Sequence, residues 1–141
     1  RDGLVTGVQT CALPISLDEF LKRPYQKDIF TRIFIKKNQR KASYHELRNS
    51  VSDYPILNVA VSRLGNQWNV SVGARPQRAA IARRASEELS NSSSFKDVEN
   101  YANIAAEECI FGTNERGTAK YRKAMCRVLV KRGIMEVLQC K

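Results

Sequence analysis

The sequence predicts an α+β domain, a two-layer sandwich in which an antiparallel sheet of about three strands is followed by three helices. Two observations carry that prediction. Two apolar runs, ILNVAVSRL and QWNVSVG, meet across Gly65–Asn66, and glycine there supplies the positive φ that a tight hairpin turn needs. Everything after Pro76 then reads with helical spacing, so strands come first and helices second.

The first strand is expected over Asp28–Lys36, DIFTRIFIK, which is rich in β-branched and aromatic residues. The basic stretch KKNQRKAS after it reads as a loop. In the hairpin, Trp68, Val70 and Val72 alternate with Gln67, Asn69 and Ser71, which buries one face of the sheet and leaves the other wet or partly covered. A first helix is expected across QRAAIARRASEEL, with Pro76 in its first turn, where the missing N–H costs nothing. Ser94 with Asp97 suggests a capping box opening a second helix from about Phe95 to Cys109, with Val98, Tyr101, Ala102, Ala105 and Cys109 on its inner stripe. Gly112 ends that helix. The last helix is expected over Thr118–Leu138, with Tyr121, Met125, Val128 and Leu129 inward and Lys120, Lys123, Arg127 and Lys131 outward.

At 141 residues with 43% hydrophobic content, the chain suits one domain around one core. No apolar run approaches the roughly 20 residues of a membrane span. Of the four cysteines, Cys11 falls in a segment expected not to be native, which leaves Cys109, Cys126 and Cys140 as an odd set without a CxxC pair; this argues for reduced thiols in a cytoplasmic setting and against a disulfide framework or a metal centre. The net charge of +10 is concentrated in two segments, Leu21–Arg48 and Arg116–Lys141, each carrying +7. It favours anionic partners: nucleic acid, phosphorylated cofactors or an acidic subunit face.

No catalytic constellation emerges. His45 is the single histidine and has no activated nucleophile near it in sequence. Glu87–Glu88 and Glu107–Glu108 are adjacent on helices, so their side chains diverge, and no metal-ligand spacing is present. The Gly73-Ala74-Arg75-Pro76 junction could hold an anion at a helix N-terminus, but a plain strand-to-helix turn is the stronger reading. Thr118 suits an N-cap, and Arg116, Gly117, Tyr121 and Arg122 read as architectural, the alternative being that Arg116 and Arg122 meet carboxylates of a neighbouring domain.

Three blocks in order, YHELRNSVSDYPILNVAVS, VGARPQRA and FGTNERGTAKYRKAMCRVLVKRG, resemble the C-terminal domain of the FAD-binding subunit of molybdenum hydroxylases, the xanthine dehydrogenase and carbon monoxide dehydrogenase group. The resemblance implies residues 28–141 as that domain and residues 17–27 as the closing segment of a preceding FAD-binding domain. Val5–Ile15, VTGVQTCALPI, resembles the in-frame translation of a sequencing adapter, so residues 1–16 are expected not to be native.

What the resemblance implies for function is a support for the flavin domain and for subunit docking. Electrons would pass from molybdopterin and iron–sulfur clusters on partner subunits or domains to FAD, then to NAD or another acceptor. The chain alone, without the FAD-binding loops, is expected to be inactive. Many relatives carry Tyr-x-Lys near the flavin where this sequence has Tyr44, His45 and Glu46. Glu46 falls on the lysine position, and a carboxylate cannot donate the hydrogen bond an ammonium would. His45 and Glu46 are therefore the candidate cofactor-contacting residues. The rival reading is a stand-alone basic nucleic-acid-binding or interaction module, with Phe30, Phe34 and Tyr44 near the basic segments.

Overall fold

The computed structural model describes residues 15–24, 32–95 and 97–140. The chain divides into two compact units, Arg1–Asn38 and Gln39–Lys141. In the first, α1 (Leu17–Lys22) is a short helix whose N-cap Ser16 accepts from Glu19 N–H, with Lys22 paired to Asp18 at 2.7 Å.

The second unit holds the sheet and three further helices. Its order is β1 (Lys41–Leu47), β2 (Leu57–Leu64), β3 (Gln67–Gly73), β4 (Ala80–Ile81), α2 (Arg83–Asn91), α3 (Val98–Glu108) and α4 (Ala119–Gln139). All strands pair antiparallel with their sequence neighbours, in the order β1-β2-β3-β4. The architecture is the α+β sandwich expected, with one very short strand added. Gly65 turns the β2–β3 hairpin at φ +58°, and alternation places Leu57, Val59 and Val61 with Trp68, Val70 and Val72 on the buried face.

Helices α2 and α4 pack on that face, and α3 packs on both of them. The core runs from the two strands to Ala85 and Leu89 of α2, Ala102, Ala105 and Ala106 of α3, and Cys126, Leu129, Val130, Ile134 and Val137 of α4. Trp68 meets Phe95 at 5.3 Å between ring centroids, and the Arg63 guanidinium lies over both rings.

Four expectations need correction. Residues 32–36 are not a strand and expose Ile33, Phe34 and Ile35, while Asp28–Thr31 lie outside the described residues. The first strand is instead β1, inside and beyond the stretch read as a loop. Its inward positions are Ser43, His45 and Leu47, too polar to betray a packed face. The first helix begins at Arg83 rather than near Pro76, because Ala80–Ile81 pair with β3 and Ala82 N–H is bound to Val70 O at 2.8 Å.

The second helix is capped by Asp97, which accepts from Asn100 N–H at 3.1 Å, not by Ser94. The inner stripe of α4 is turned from the expected one: Tyr121 and Val128 are exposed, and Arg122 and Cys126 are buried instead. Thr118 does cap α4, accepting from Tyr121 N–H at 3.2 Å.

Gly133 lets α4 lie tightly against the sheet. A methyl group there would lie 2.7 Å from Val61 Cγ2 and 3.0 Å from Ser43 Oγ. The same contact is polar as well as tight, since Ser43 Oγ–H donates to Gly133 O at 3.0 Å.

Candidate functional site

The three sequence blocks meet at one corner of the domain, joined by two buried arginines. Arg122 is 1% exposed. Its guanidinium donates to Ile56 O at 2.8 Å, Gly112 O at 2.7 Å, Gly117 O at 2.6 Å and Asn114 Oδ1 at 2.6 Å. It thus ties the turn before β2 to the loop before α4 without using a carboxylate. Burial and the nearby Arg116 push its pKa below the usual guanidinium value. A cation is costly to bury, and here the carbonyl dipoles replace the lost water.

Arg75 does the same for the middle block. It donates to Arg78 O at 3.0 Å, Gln77 Oε1 at 3.2 Å and Ile110 O at 2.6 Å, while its own carbonyl accepts from Gly112 N–H. Ala74 adopts φ +54° to make this turn, a conformation uncommon for a residue with a side chain. The junction is a turn, but not the strand-to-helix turn expected, because no helix begins here; the anion alternative loses its helix N-terminus with it, and Arg75 is bound to the protein's own carbonyls. The helix N-terminus that does follow, at α2, is filled from within. Glu108 accepts from the N–H groups of Arg83 at 2.7 Å and Arg84 at 3.0 Å, so a carboxylate already meets the positive end of the helix.

Beside this corner lies the wet face of the sheet, which carries Ala42, Tyr44 and Glu46 of β1 opposite Ser62, Ala60 and Asn58 of β2. Tyr44 is 58% exposed. Its hydroxyl donates to Glu46 Oε2 at 3.0 Å, and Arg48 donates to the same carboxylate at 2.7 Å. The Arg48 bond holds the Glu46 carboxyl below its usual pKa, and burial together with the Glu46 carboxylate raises that of the Tyr44 phenol. Arg48 also donates to Val51 O and Asp53 O, which shapes the loop that presents Tyr54. Arg116 stacks over Tyr54 at 5.2 Å and reaches Asp53 at 3.7 Å.

His45 and Glu46 are not brought together. Consecutive strand residues point to opposite faces, so Glu46 stands on the wet face while His45 turns toward α4, its Nε2 2.9 Å from Glu136 Oε2. One contact surface cannot use both. Arg48, which sequence reasoning missed, shares the face of Tyr44 and Glu46, and the period-two spacing 44, 46, 48 was the signal for it. The hydrogen bonds of Arg122 bear out the architectural reading of its turn, whereas nothing local to Arg75 announced its packing.

Elsewhere, Lys123 and Arg127 pair with Glu107, and Lys131 with Glu99, so much of the basic face of α4 is neutralised by α3. The two shallow grooves between these helices, lined in part by Val128, Lys131 and Met135, lie away from the Tyr44 face. Among the described residues there is no cluster of three potential metal ligands and no helix long and apolar enough to cross a membrane.

Comparison with known proteins agrees with this geometry. The fold is similar to quinoline 2-oxidoreductase from Pseudomonas putida 86, with TM-score 0.64 and 19% identity over 72% of this chain. It is also similar to the cyanide-inactivated form of the Cu,Mo-CO dehydrogenase, with TM-score 0.62 and 17% identity over 73% of this chain. A third similar structure is carbon monoxide dehydrogenase from Hydrogenophaga pseudoflava lacking the Mo-pyranopterin moiety, with TM-score 0.60 and 20% identity over 73% of this chain. The chain spans 38% of the length of each of these chains. No curated protein matches it significantly. Residues 42–137, which include the corner stapled by Arg75 and Arg122 and the Tyr44 face, match the CO dehydrogenase flavoprotein C-terminal domain, and the chain belongs to that family.

Proposed function

We propose that this chain works as the C-terminal domain of the FAD-binding subunit of a cytoplasmic molybdenum hydroxylase, supporting a flavin domain and the docking of partner subunits. The observation that carries the reading is the family match over residues 42–137, whose span holds a sheet face on which, among the described residues, Tyr44 is exposed beside Glu46. In the assembled enzyme, molybdopterin and iron–sulfur centres on partner subunits would supply electrons, and FAD would pass them to NAD or another acceptor. The redox chemistry belongs to the cofactors, and the protein supplies position and electrostatics.

The residues present fit a side contact to FAD rather than its main binding site. The sequence has no glycine-rich phosphate loop, and the helix N-terminus of α2 is occupied by Glu108. Tyr44 offers an exposed ring face, while Glu46, held by Arg48 and Tyr44, offers a fixed negative charge. A carboxylate at that position disfavours negative charge on a neighbouring reduced flavin. In the whole subunit, Glu46→Lys should therefore raise the flavin reduction potential and Glu46→Gln should raise it less. A potential unmoved by both substitutions would remove the Tyr44 face from the flavin's surroundings.

The nucleic-acid reading loses support from the ion pairs of α4, which leave less free positive surface than the sequence charge suggests.

A further inference from the structure

The two compact units differ in what they bury. In the second, an apolar core runs through sheet and helices, and no described apolar residue before Leu47 belongs to it or packs against it. In the first, none of the described residues is buried. Its helix α1 has no buried position and leaves Leu17 exposed.

The sharpest case is Ile33, Phe34 and Ile35, which are 71%, 71% and 85% exposed. Three consecutive large apolar side chains lie in solvent, between Arg32 on one side and Lys36 and Lys37 on the other. Such β-branched and aromatic residues favour strands. In an extended strand Ile33 and Ile35 take one face and Phe34 the other. Apolar residues on both faces suit a strand within a sheet covered on both sides. Added to this domain's own sheet, the triplet would set either Phe34 or both isoleucines on the face that carries Tyr44 and Glu46, a polar setting for either. The family match begins at residue 42, past the triplet. The chain spans 38% of each similar solved chain, so those chains continue beyond this fold.

We propose that residues 32–36 form a β-strand that joins the sheet of the flavin-binding domain of the same subunit, and that the C-terminal domain proper starts near Gln39, where the two units divide. The proposal rests on the flavin-subunit reading and names the contact through which the two domains are joined. Strand addition supplies ladder partners for the backbone of the segment and apolar cover for both of its faces. Arg32 and Lys36, at the ends of the strand, keep their charges in water while their stems lie on apolar surface. The connection onward is short. From Lys36 to Lys41, where β1 begins, the chain reaches at most about 18 Å, which keeps β1 and the Tyr44 face near the domain that carries the cofactor.

The test compares amide hydrogen exchange and trypsin cleavage in the 141-residue chain and in the complete subunit loaded with flavin. The chain is expected to exchange the amides of Ile33, Phe34 and Ile35 freely and to be cut quickly after Arg32, Lys36 and Lys37. The complete subunit is expected to slow exchange of those amides about a hundredfold or more and to resist the same cuts. Ile35→Asp should leave the thermal midpoint of the chain unchanged and lower that of the complete subunit by about 4 °C or more, because a charge then enters an apolar layer. Three results would overturn the proposal. The first is protection of the three amides already in the chain, whether constant on dilution, the segment then packing on its own domain, or lost on dilution, the segment then pairing with a second copy. The second is free exchange of these amides in the flavin-loaded subunit. The third is an equal loss of midpoint in chain and subunit on Ile35→Asp. If the aspartate variant of the subunit does not fold, the exchange comparison of the unaltered proteins decides. A complete frame whose product binds no flavin is a separate result: it overturns the flavin reading itself, and the proposal with it.

Discussion

Arg122 illustrates how much a single side chain can hold when it replaces water with carbonyls. Removing its guanidinium leaves Ile56 O, Gly112 O and Gly117 O without that donor and opens a cavity at the join between two loops. Arg122→Ala should cost about 3 kcal/mol or more of unfolding free energy, read by urea denaturation, since each buried polar group left unpaired costs about 1–3 kcal/mol. Arg122→Lys should recover little, because one ammonium cannot reach four acceptors in the geometry of a planar fork. A loss under about 1 kcal/mol for the alanine variant would contradict the staple.

Cys126 adds a pH dependence at the same scale. Burial pushes its thiol up to about 12, and the neighbouring Cys109 thiol is raised by burial as well. A folded pKa above the unfolded value means stability that is full below the unfolded pKa, about 9, and is lost as pH rises toward 12. Cys126→Ala should flatten that alkaline loss in urea titrations at successive pH values. An unchanged slope would show that other groups control it.

At the scale of elements, Gly133 sets how closely α4 lies on the sheet. Alanine gains about 1 kcal/mol of helix propensity over glycine, but here its methyl group would meet Val61 and Ser43 at 2.7 and 3.0 Å. Overpacking of that kind costs about 1–3 kcal/mol, so Gly133→Ala is expected to lower the thermal midpoint despite the better propensity. A raised midpoint would mean that α4 can slide away from β2 freely.

The elements also show where the sequence was legible. The β2–β3 hairpin was readable because its alternation and its Gly-Asn turn lie within neighbouring residues. α2 was read too early because its true start is fixed by Glu108, supplied from the far end of α3. β1 was missed because its inward side chains are a serine, a histidine and a leucine. The α4 stripe was misread because one of its most buried positions is an arginine.

For the molecule as a whole, the family was legible because the three blocks are the parts that meet: the turn before β2, the Arg75 junction and the loop before α4 are bound into one corner. Of the candidate site, Glu46 lies on the wet face of the sheet beside Tyr44 and His45 on the opposite face, a separation that follows from strand geometry once β1 is known.

The chain spans 38% of the solved structures it resembles, and the central claim is that it acts as part of a larger flavin subunit. The measurement that tests this most directly is to sequence the source DNA upstream of the Leu17 codon and express the complete frame. The account predicts a frame that continues into glycine-rich cofactor loops and a product that purifies with bound flavin. A frame that encodes no such loops, with a product that carries no flavin, would contradict it.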